Sequence, residues 1–167
     1  RNNAKKDEIV QSERDMENLI DHVVLVGGDQ MGESVMDALI AMNREVVVID
    51  FDPAIVSKLK VRDVHRLFGD ISDAEIKNLA KIHLAHLVVS TIPDVEDNLL
   101  LLRELKYKKS RAIVIVTALD SIDAKILYAE QADYVVLPYL AGGRQLAKLL
   151  GTDLTDLSSL KAKDQAY

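Results

Sequence analysis

The sequence predicts an α/β fold in which a doubly wound, parallel, six-stranded sheet has helices on both faces. Apolar runs rich in β-branched residues alternate with helical patterns six times from His22 onward. These runs are nearly continuous rather than alternating with polar residues, which is typical of strands that helices cover on both sides. The 167 residues, 49% hydrophobic and 29% charged, suit one folded domain with a single core.

The individual elements follow from these patterns. Strands are predicted at 22–26, 45–49, 64–68, 86–90, 112–117 and 134–137. Helices are predicted at 33–42, 54–59, 73–79, 95–106, 121–131 and 141–150. The last helix leads into Gly151, a common residue after a helix end.

The two ends differ from the folded domain predicted at 21–150. Residues 1–20 are mostly polar and predict a linker or a loosely docked N-terminal helix. Residues 151–167 predict a C-terminal tail, with one short amphipathic turn carrying three leucines before the chain frays. The chain begins with Arg1 and its first residues lack the apolar segment of a signal peptide, so we expect a piece of a longer protein.

Composition excludes several functional classes. With 21 Lys and Arg against 27 Asp and Glu, the net charge of −6 disfavours a nucleic-acid partner. The absence of cysteine excludes disulfides, thiolate metal sites and a cysteine nucleophile. No stretch approaches the roughly 18 apolar residues of a membrane helix, so we expect no direct membrane insertion of this segment.

A glycine-rich loop follows the first predicted strand and precedes the first predicted helix. Its residues are Gly27, Gly28, Asp29, Gln30, Met31 and Gly32. A backbone turn with few side chains leaves N–H groups free for a phosphate, and the dipole of the following helix favours negative charge. Glycines also end strands for steric reasons alone, and a fold of this kind that binds nothing is the alternative.

An acidic residue closes the second predicted strand. Asp50 lies 23 residues after Gly27, near the spacing at which a carboxylate accepts hydrogen bonds from both ribose hydroxyls in a Rossmann-like fold. Taken alone, Asp50 equally suits a carboxylate that caps the next helix. The combination of strand, loop, helix and acid favours nucleotide binding.

The loops after the third and fourth strands lie at the same edge of such a sheet. Gly69 allows a base to approach the backbone, and Asp70 is placed to accept from an exocyclic amine. Two further residues in these loops, Ser72 and Asp94, have a simpler interpretation as N-caps of the next helices, which we favour.

Together these segments resemble the RCK family of domains, also called KTN or TrkA-N, which regulate potassium conductance. The resemblance covers 22–150. It rests on GGDQMG at 27–32, VVIDFDP at 47–53, FGD at 68–70, VSTIPD at 89–94 with NLL at 98–100, and ADYVVLP at 132–138. The last two segments are most similar to domains fused to Kef-type monovalent cation:proton antiporters.

The resemblance implies a regulatory domain at the cytoplasmic face of the cell membrane, attached to its own membrane transporter domain and gating ion flux. Family ligands are AMP, ADP, ATP, NAD and NADH. By position, the glycines approach phosphate, Asp50 the ribose, Asp70 and Ile71 the adenine, and Thr91 and Ile92 the ribose or a second nucleoside. The complete predicted nucleotide site consists of Gly27, Gly28, Asp29, Gln30, Met31, Gly32, Asp50, Phe51, Asp52, Gly69, Asp70, Ile71, Thr91, Ile92 and Pro93.

One position departs from the motif. Asp29 occupies the place of the second glycine of G-x-G-x-x-G, where the backbone must come close to a pyrophosphate. A Cβ obstructs that approach and a carboxylate repels it, so we expect AMP or a similar adenine mononucleotide rather than NAD. From the 16 residues after Gly151 we expect no counterpart in this segment of the smaller C-terminal lobe of many family members.

Other functional classes stay open at this stage. An RCK domain of a potassium channel or of a Trk/Ktr uptake system is the nearest alternative. An NAD-dependent oxidoreductase shares the loop and the acid, but no tyrosine is followed by lysine at the fourth position and no second domain follows. A methyltransferase using S-adenosylmethionine shares both features too. The four histidines are expected to be structural, with no catalytic group and no metal site.

The predicted helix at 95–106 carries more leucines than one face requires: Leu99, Leu100, Leu101, Leu102 and Leu105. It is either sandwiched between the sheet and a neighbouring helix or in contact with another subunit, and we favour the second. We therefore expect a homodimer that uses this helix or the helix at 141–150. A pure interaction module is the third functional class.

Overall fold

A computed structural model describes residues 16–152 and 154–166. Six strands form one entirely parallel sheet in the order β3-β2-β1-β4-β5-β6. Their bounds are β1 Val23–Val26, β2 Val46–Asp50, β3 His65–Phe68, β4 Leu87–Ser90, β5 Ile113–Thr117 and β6 Tyr134–Val136. The predicted doubly wound six-stranded sheet is therefore confirmed, with strand bounds within one residue of the prediction.

Seven α-helices connect or follow these strands. They are α1 Gln30–Ala41, α2 Pro53–Lys58, α3 Ala74–Leu79, α4 Val95–Tyr107, α5 Ser121–Ala129, α6 Pro138–Leu150 and α7 Leu157–Gln165. The prediction placed the start of α1 at residue 33 and the start of α6 at residue 141, in each case three residues too late. In α6 the reason is Pro138, whose fixed φ suits the first helical position.

Apolar side chains pack on both faces of the sheet. One core contains Met36 and Leu39 of α1 against Val46 and Val48 of β2. The other contains leucines of α4 and α5 against residues of the opposite parity, such as Val47. This alternation explains why each strand reads as a continuous apolar run, because both of its faces are buried.

The strand order reverses at β1. Val23 pairs with Val46 of β2 on one side and with Leu87 of β4 on the other. From β1 the chain continues to β2 on one side, and after β3 it returns to β4 on the other side of β1. The carboxyl ends of β1 and β4 therefore border a crevice. The loops after β1, β2, β3 and β4 all reach this edge, which is where the sequence predicts the ligand.

Helix α4 is buried within its own chain. Leu99, Leu101, Leu102 and Leu105 all belong to the core, and only Leu100 is exposed, at 48%. Helix α5 lies beside it, and its Leu127 belongs to the same core. Four of the five leucines are therefore accounted for by the sandwiched alternative, and the contact of this helix with another subunit stays a prediction.

Helix α6 has no buried residue. Its exposed apolar side chains include Tyr139 at 79% and Leu146 at 55%. The predicted tail after it is more regular than expected, because a 3₁₀ turn at Leu154–Asp156 leads into the nine-residue α7. A groove of about 470 Å³ between α6 and α7 is lined by leucines of both helices.

The predicted division at 1–20, 21–150 and 151–167 stays a prediction, and residues 1–15 lie outside the described part of the chain. Met16 and Leu19, which the prediction assigned to the linker, are both buried in the core. No helix in the described ranges is long and apolar enough to cross a bilayer.

His22 is buried beside β1. Its Nε2 lies 2.7 Å from the carbonyl oxygen of Ala80, which only accepts, so Nε2 carries the proton. The other ring nitrogen is buried without a partner. Protonating it would place a second N–H where no acceptor is available, and burial accordingly lowers the pKa of His22. His83 behaves similarly, because burial and Lys108 lower its pKa.

These histidines predict a pH-dependent stability. Their folded pKa lies below the unfolded value of about 6.5, so the stability they contribute is fully present above that pH and lost as the pH falls. We expect the free energy of unfolding, from urea titrations, to fall between about pH 7 and pH 5, by at most about 1.4 kcal/mol per pH unit for each histidine. His22→Gln keeps a donor for Ala80 and should reduce the slope.

His86→Gln is the matched control, because His86 is exposed beside the same strand end. It should leave the slope unchanged. A His22→Gln profile that parallels the wild type would show that His22 is not the titrating group.

Candidate functional site

The loop after β1 needs glycine at its first position. Gly27 has φ +93°, in the left-handed region that side chains rarely adopt. A Cβ there would also overlap Thr91 Oγ1. The Thr91 hydroxyl lies 3.1 Å from both the Val26 and the Gly27 carbonyl oxygens, and it donates into this pair. Thr91 therefore holds the loop after β4 against the glycine loop.

The other two glycines allow close packing. A Cβ on Gly32 would overlap the Gly27 carbonyl oxygen, so this glycine lets α1 begin directly against the loop. A Cβ on Gly28 would lie 3.0 Å from Ile55 Cγ2, a close contact with α2. Two glycines thus have the roles that a phosphate-binding turn requires, tight turning at Gly27 and helix packing at Gly32.

Helix α1 starts without a side-chain cap. Asp29 is its N-cap residue, yet its exposed side chain accepts no hydrogen bond from the first turn. The next four helices all have an aspartate cap that does accept one, namely Asp52, Asp73, Asp94 and Asp120. Gln30 and Met31, predicted as loop, form the first turn together with Gly32. The N–H groups of this turn are left for another acceptor.

Asp50 joins the glycine loop to the turn after β2. Its Oδ2 accepts from the Gly28 N–H and its Oδ1 from the Asp52 N–H, both at 2.8 Å. The side chain is buried, so these two charge-assisted bonds compensate its desolvation. Each oxygen has a second lone pair with which to accept from a hydroxyl group.

The helix caps near the site decide whether Asp50, Asp94 and Ser72 act as N-caps. Asp52 caps α2, because its Oδ1 accepts from the Ala54 N–H, and Asp50 does not cap this helix. Asp94 caps α4 as predicted. The prediction for Ser72 is wrong, because the helix begins one residue later, with Asp73 as the cap that accepts from the Glu75 N–H at 2.9 Å.

A small cavity of about 40 Å³ opens between the ends of β1, β2 and β3. It brings together six of the predicted residues: Asp50, Phe51, Gly69, Asp70, Ile71 and Ile92. Gly69 is needed there, since a Cβ would lie 2.5 Å from Ile76 Cδ1. A nucleotide pocket is several times larger, so a bound base requires side chains at the rim to move. Phe51 is 64% exposed, so its side chain has room to move in this way.

The cavity also contains a residue that the sequence analysis missed. Asp97, in the first turn of α4, lines it opposite Asp50. Burial raises the pKa of Asp97, and the nearby Asp94 and Asp70 carboxylates add to this. Hydrogen bonds from the backbone and hydroxyl of Ser72 lower the pKa of Asp70. The wall is acidic and suits a ligand that presents donors, such as an exocyclic amine. No spacing rule links Asp97 to the glycine loop.

The remaining predicted residues lie outside this cavity. Gly28 and Asp29 border a second depression of about 240 Å³, on the face of the sheet that α1 and α2 cover. Pro93 is exposed, while Thr91 is partly buried against the loop. A larger depression of about 450 Å³ lies at the opposite edge of the sheet, where His65 Nε2 and Glu45 Oε1 lie 3.1 Å apart.

A buried polar network supports the loop after β4. Asn98, 1% exposed, donates from Nδ2 to the Ile92 carbonyl oxygen at 2.9 Å and to the Thr117 carbonyl oxygen at 3.0 Å. The Thr117 hydroxyl donates to the Ser90 carbonyl oxygen at 2.9 Å. In the sequence Asn98 is recognisable only as part of a motif, because an asparagine inside a leucine-rich helix does not reveal its partners.

Within the described ranges, no group of three histidine or carboxylate side chains is placed to hold a metal ion.

Comparison with known sequences gives a consistent family. The TrkA-N domain profile matches residues 23–138. Potassium channel protein 1 of Methanocaldococcus jannaschii is 22% identical over 154 residues, which are 90% of this chain and 46% of that protein. The putative cation/proton antiporter YbaL of Escherichia coli is 28% identical over 89 residues, 53% of this chain and 16% of that protein. The chain thus spans less than half the length of either relative.

Solved structures share the fold. The TrkA-N domain of the inner membrane protein YbaL from Escherichia coli superposes with a TM-score of 0.75 at 24% identity, covering 80% of this chain and 98% of that one. The Shewanella denitrificans Kef CTD, in its AMP-bound form, gives 0.67 at 18% identity over 86% and 89% of the two chains. The GsuK channel bound to NAD gives 0.64 at 16% identity over 73% and 22%.

The profile match covers more than half of the chain and includes all six strands. The glycine loop, Asp50 and the crevice beside β1 all lie within it. The chain belongs to the TrkA-N domain family.

Proposed function

We propose that the chain is a cytosolic regulatory domain that binds an adenine nucleotide and gates a potassium or monovalent cation transporter, of the Kef-type cation:proton antiporter class. The observation that carries the proposal is the first turn of α1, whose N–H groups have no side-chain cap. It faces the crevice at the switch point, beside a carboxylate that already holds the loop in place. The same proposal includes attachment of this domain to its own membrane transporter domain, at the cytoplasmic face of the membrane. The similarity of the chain to YbaL, a putative antiporter, supports this choice, and the similarity to potassium channel protein 1 keeps a channel as the alternative.

The nucleotide would lie across the edge of the sheet. Its phosphate would accept from the N–H groups that begin α1, where the helix dipole also favours an anion. Its ribose would donate to the free lone pairs of Asp50, and its base would enter the cavity between Ile92 and Asp70. AMP suits this path because a single phosphate need not pass Asp29. The AMP-bound Kef CTD supports AMP, whereas the NAD-bound GsuK channel keeps NAD as the rival ligand.

The proposed role is binding and not catalysis. Hydride transfer needs a second substrate held against the nicotinamide, and the acidic cavity beside Asp50 has a volume of only about 40 Å³. The oxidoreductase alternative predicts turnover of a nicotinamide cofactor by the isolated chain, which a spectrophotometric assay with NADH would detect.

Homodimerisation through α6 is the second part of the proposal. A helix without any buried residue leaves its apolar side chains in water unless something else covers them. Leucines of α6 and α7 continue this surface along their shared groove. A second copy of the chain would cover both, and a regulatory domain needs such a contact to transmit a change of shape.

Asp50→Ala should weaken AMP binding. Charge-assisted hydrogen bonds contribute roughly 1.5–3 kcal/mol each, so we expect a loss of at least about tenfold in affinity by calorimetry. The same variant loses its bonds to Gly28 and Asp52, so AMP is compared with 2′,3′-dideoxy-AMP in a double-mutant cycle. The loss should be much smaller for the dideoxy ligand.

Asp120→Ala is the matched control, because Asp120 also follows a strand and accepts from two backbone N–H groups, at the start of α5. It should bind AMP as the wild type does. Equal losses for both ligands in Asp50→Ala would assign Asp50 to holding the loop and would remove its ribose role.

Asp29→Gly should improve NAD binding more than AMP binding. Removing the Cβ and the charge opens the path of the pyrophosphate, and because the side chain is exposed and screened, we expect a gain of only about tenfold for NAD. Glu33→Gln removes a charge from the same turn and controls for general electrostatics. Equal gains for both ligands, or a wild type that prefers NAD, would contradict the mononucleotide preference.

Leu146→Asp should convert the dimer to a monomer. The substitution places a charge in the proposed α6 contact, and sedimentation at high micromolar concentration measures the result. Leu100→Asp is the matched control, since Leu100 is 48% exposed against 55% for Leu146 but lies on α4. A wild type that is monomeric, or a dimer that only Leu100→Asp disrupts, would refute the α6 interface.

A further inference from the structure

Asn98 is a buried polar residue in a helix whose buried face is otherwise leucine. Burying an amide costs free energy unless its hydrogen-bonding capacity is used. Both Nδ2 protons are used here, and neither goes to the helix that carries Asn98: one reaches Ile92 in the loop after β4, the other Thr117 at the end of β5. A helix residue thus holds two separate backbone segments together.

The first of these segments belongs to the proposed nucleotide site. Ile92 lines the small cavity together with Asp50 and Asp70. Its neighbour Thr91 donates to the glycine loop. The backbone at Ile92 has no strand partner to fix it, because β4 ends at Ser90. Its position therefore depends on the side chains that bond to it, and Asn98 makes the shortest such bond.

The second segment leads away from the site. Ala118, the residue after Thr117, donates its N–H to the Val136 carbonyl oxygen at 2.9 Å. Val136 is the last residue of β6, and α6 begins two residues later. A continuous series of hydrogen bonds and covalent bonds therefore runs from the cavity wall through Asn98 to the start of the unburied helix.

We propose that Asn98 is a positioning residue that fixes the nucleotide-facing loop at Ile92 to strand β5, so that a ligand in the crevice changes the end of β5 and the start of α6. This inference rests on the proposed nucleotide binding. A ligand that displaces Ile92 must either displace Thr117 with it or break a buried hydrogen bond, whose loss leaves an acceptor unsatisfied.

The test combines affinity with amide hydrogen exchange on the 167-residue chain. In the wild type, AMP should slow exchange of the Gly28 amide, next to the ligand, and also change exchange of the Ala118 amide, outside the cavity. In Asn98→Leu, which fills the space without donors, AMP affinity should fall about tenfold because the loop is no longer held in place. The Gly28 amide should still respond to AMP and the Ala118 amide should not.

Ser110→Ala is the control variant. The Ser110 hydroxyl oxygen accepts from the Ala112 N–H at 3.1 Å, at the opposite end of β5. Ser110→Ala therefore also removes a hydrogen bond between a side chain and the backbone. This variant should leave both the AMP affinity and the response of the Ala118 amide unchanged. Asn98→Ser, which retains one donor, is expected to be intermediate and provides a second variant if Asn98→Leu does not fold.

The outcomes are distinguishable. If wild-type Ala118 does not respond to AMP, the coupling is refuted without any variant. An Asn98→Leu protein with wild-type affinity and an intact Ala118 response also refutes it, while nucleotide binding stands. A wild type that binds no adenine nucleotide refutes the proposed function and this inference together.

Discussion

The two hydrogen bonds of Asp50 are the constraint on which the crevice depends. The carboxylate lies at the last position of β2 and accepts from the Gly28 N–H of the glycine loop on one side and from the Asp52 N–H, in the turn into α2, on the other. A buried charge with fewer partners would be unstable there. With these partners Asp50 holds the glycine loop in its conformation without capping α1. The same group that holds the loop has lone pairs left with which to accept from a ligand, as proposed.

Much of this arrangement could be predicted from the sequence, because it follows from local rules. Continuous apolar runs identify strands buried on both faces, and the parallel order then fixes which loops meet at one edge. Gly27 and Asp50 could be assigned from their places at strand ends. Gly69 could be assigned in the same way, and the cavity confirms that it lies beside Asp50 and Asp70.

The rest depends on contacts that no local pattern contains. Five leucines in α4 look like an excess until α5 is placed beside them. Ser72 and Asp73 both have a residue type suited to capping α3, and the helix uses Asp73. Asp97 lines the cavity because the first turn of α4 lies beside the loop after β3. For the leucines of α4 and for Asp97, a second element distant in sequence decides between two locally acceptable alternatives.

Helix α6 differs from the rest of the domain in what fixes its position. Helices α1, α4 and α5 bury leucines in a core, so unfolding them would expose these side chains, and α2 and α3 pack partly buried side chains such as Ile55 and Ile76 against it. No side chain of α6 is buried, so the free energy that determines its direction is small compared with the stability of the sheet. Its first residue follows β6, whose Val136 is bonded to Ala118. A weakly held helix attached to a firmly held strand end is the kind of element whose equilibrium a ligand of modest differential affinity can shift. One hydrogen-bonded connection therefore links the edge of the sheet that carries the proposed site to α6, a helix that few contacts hold in place.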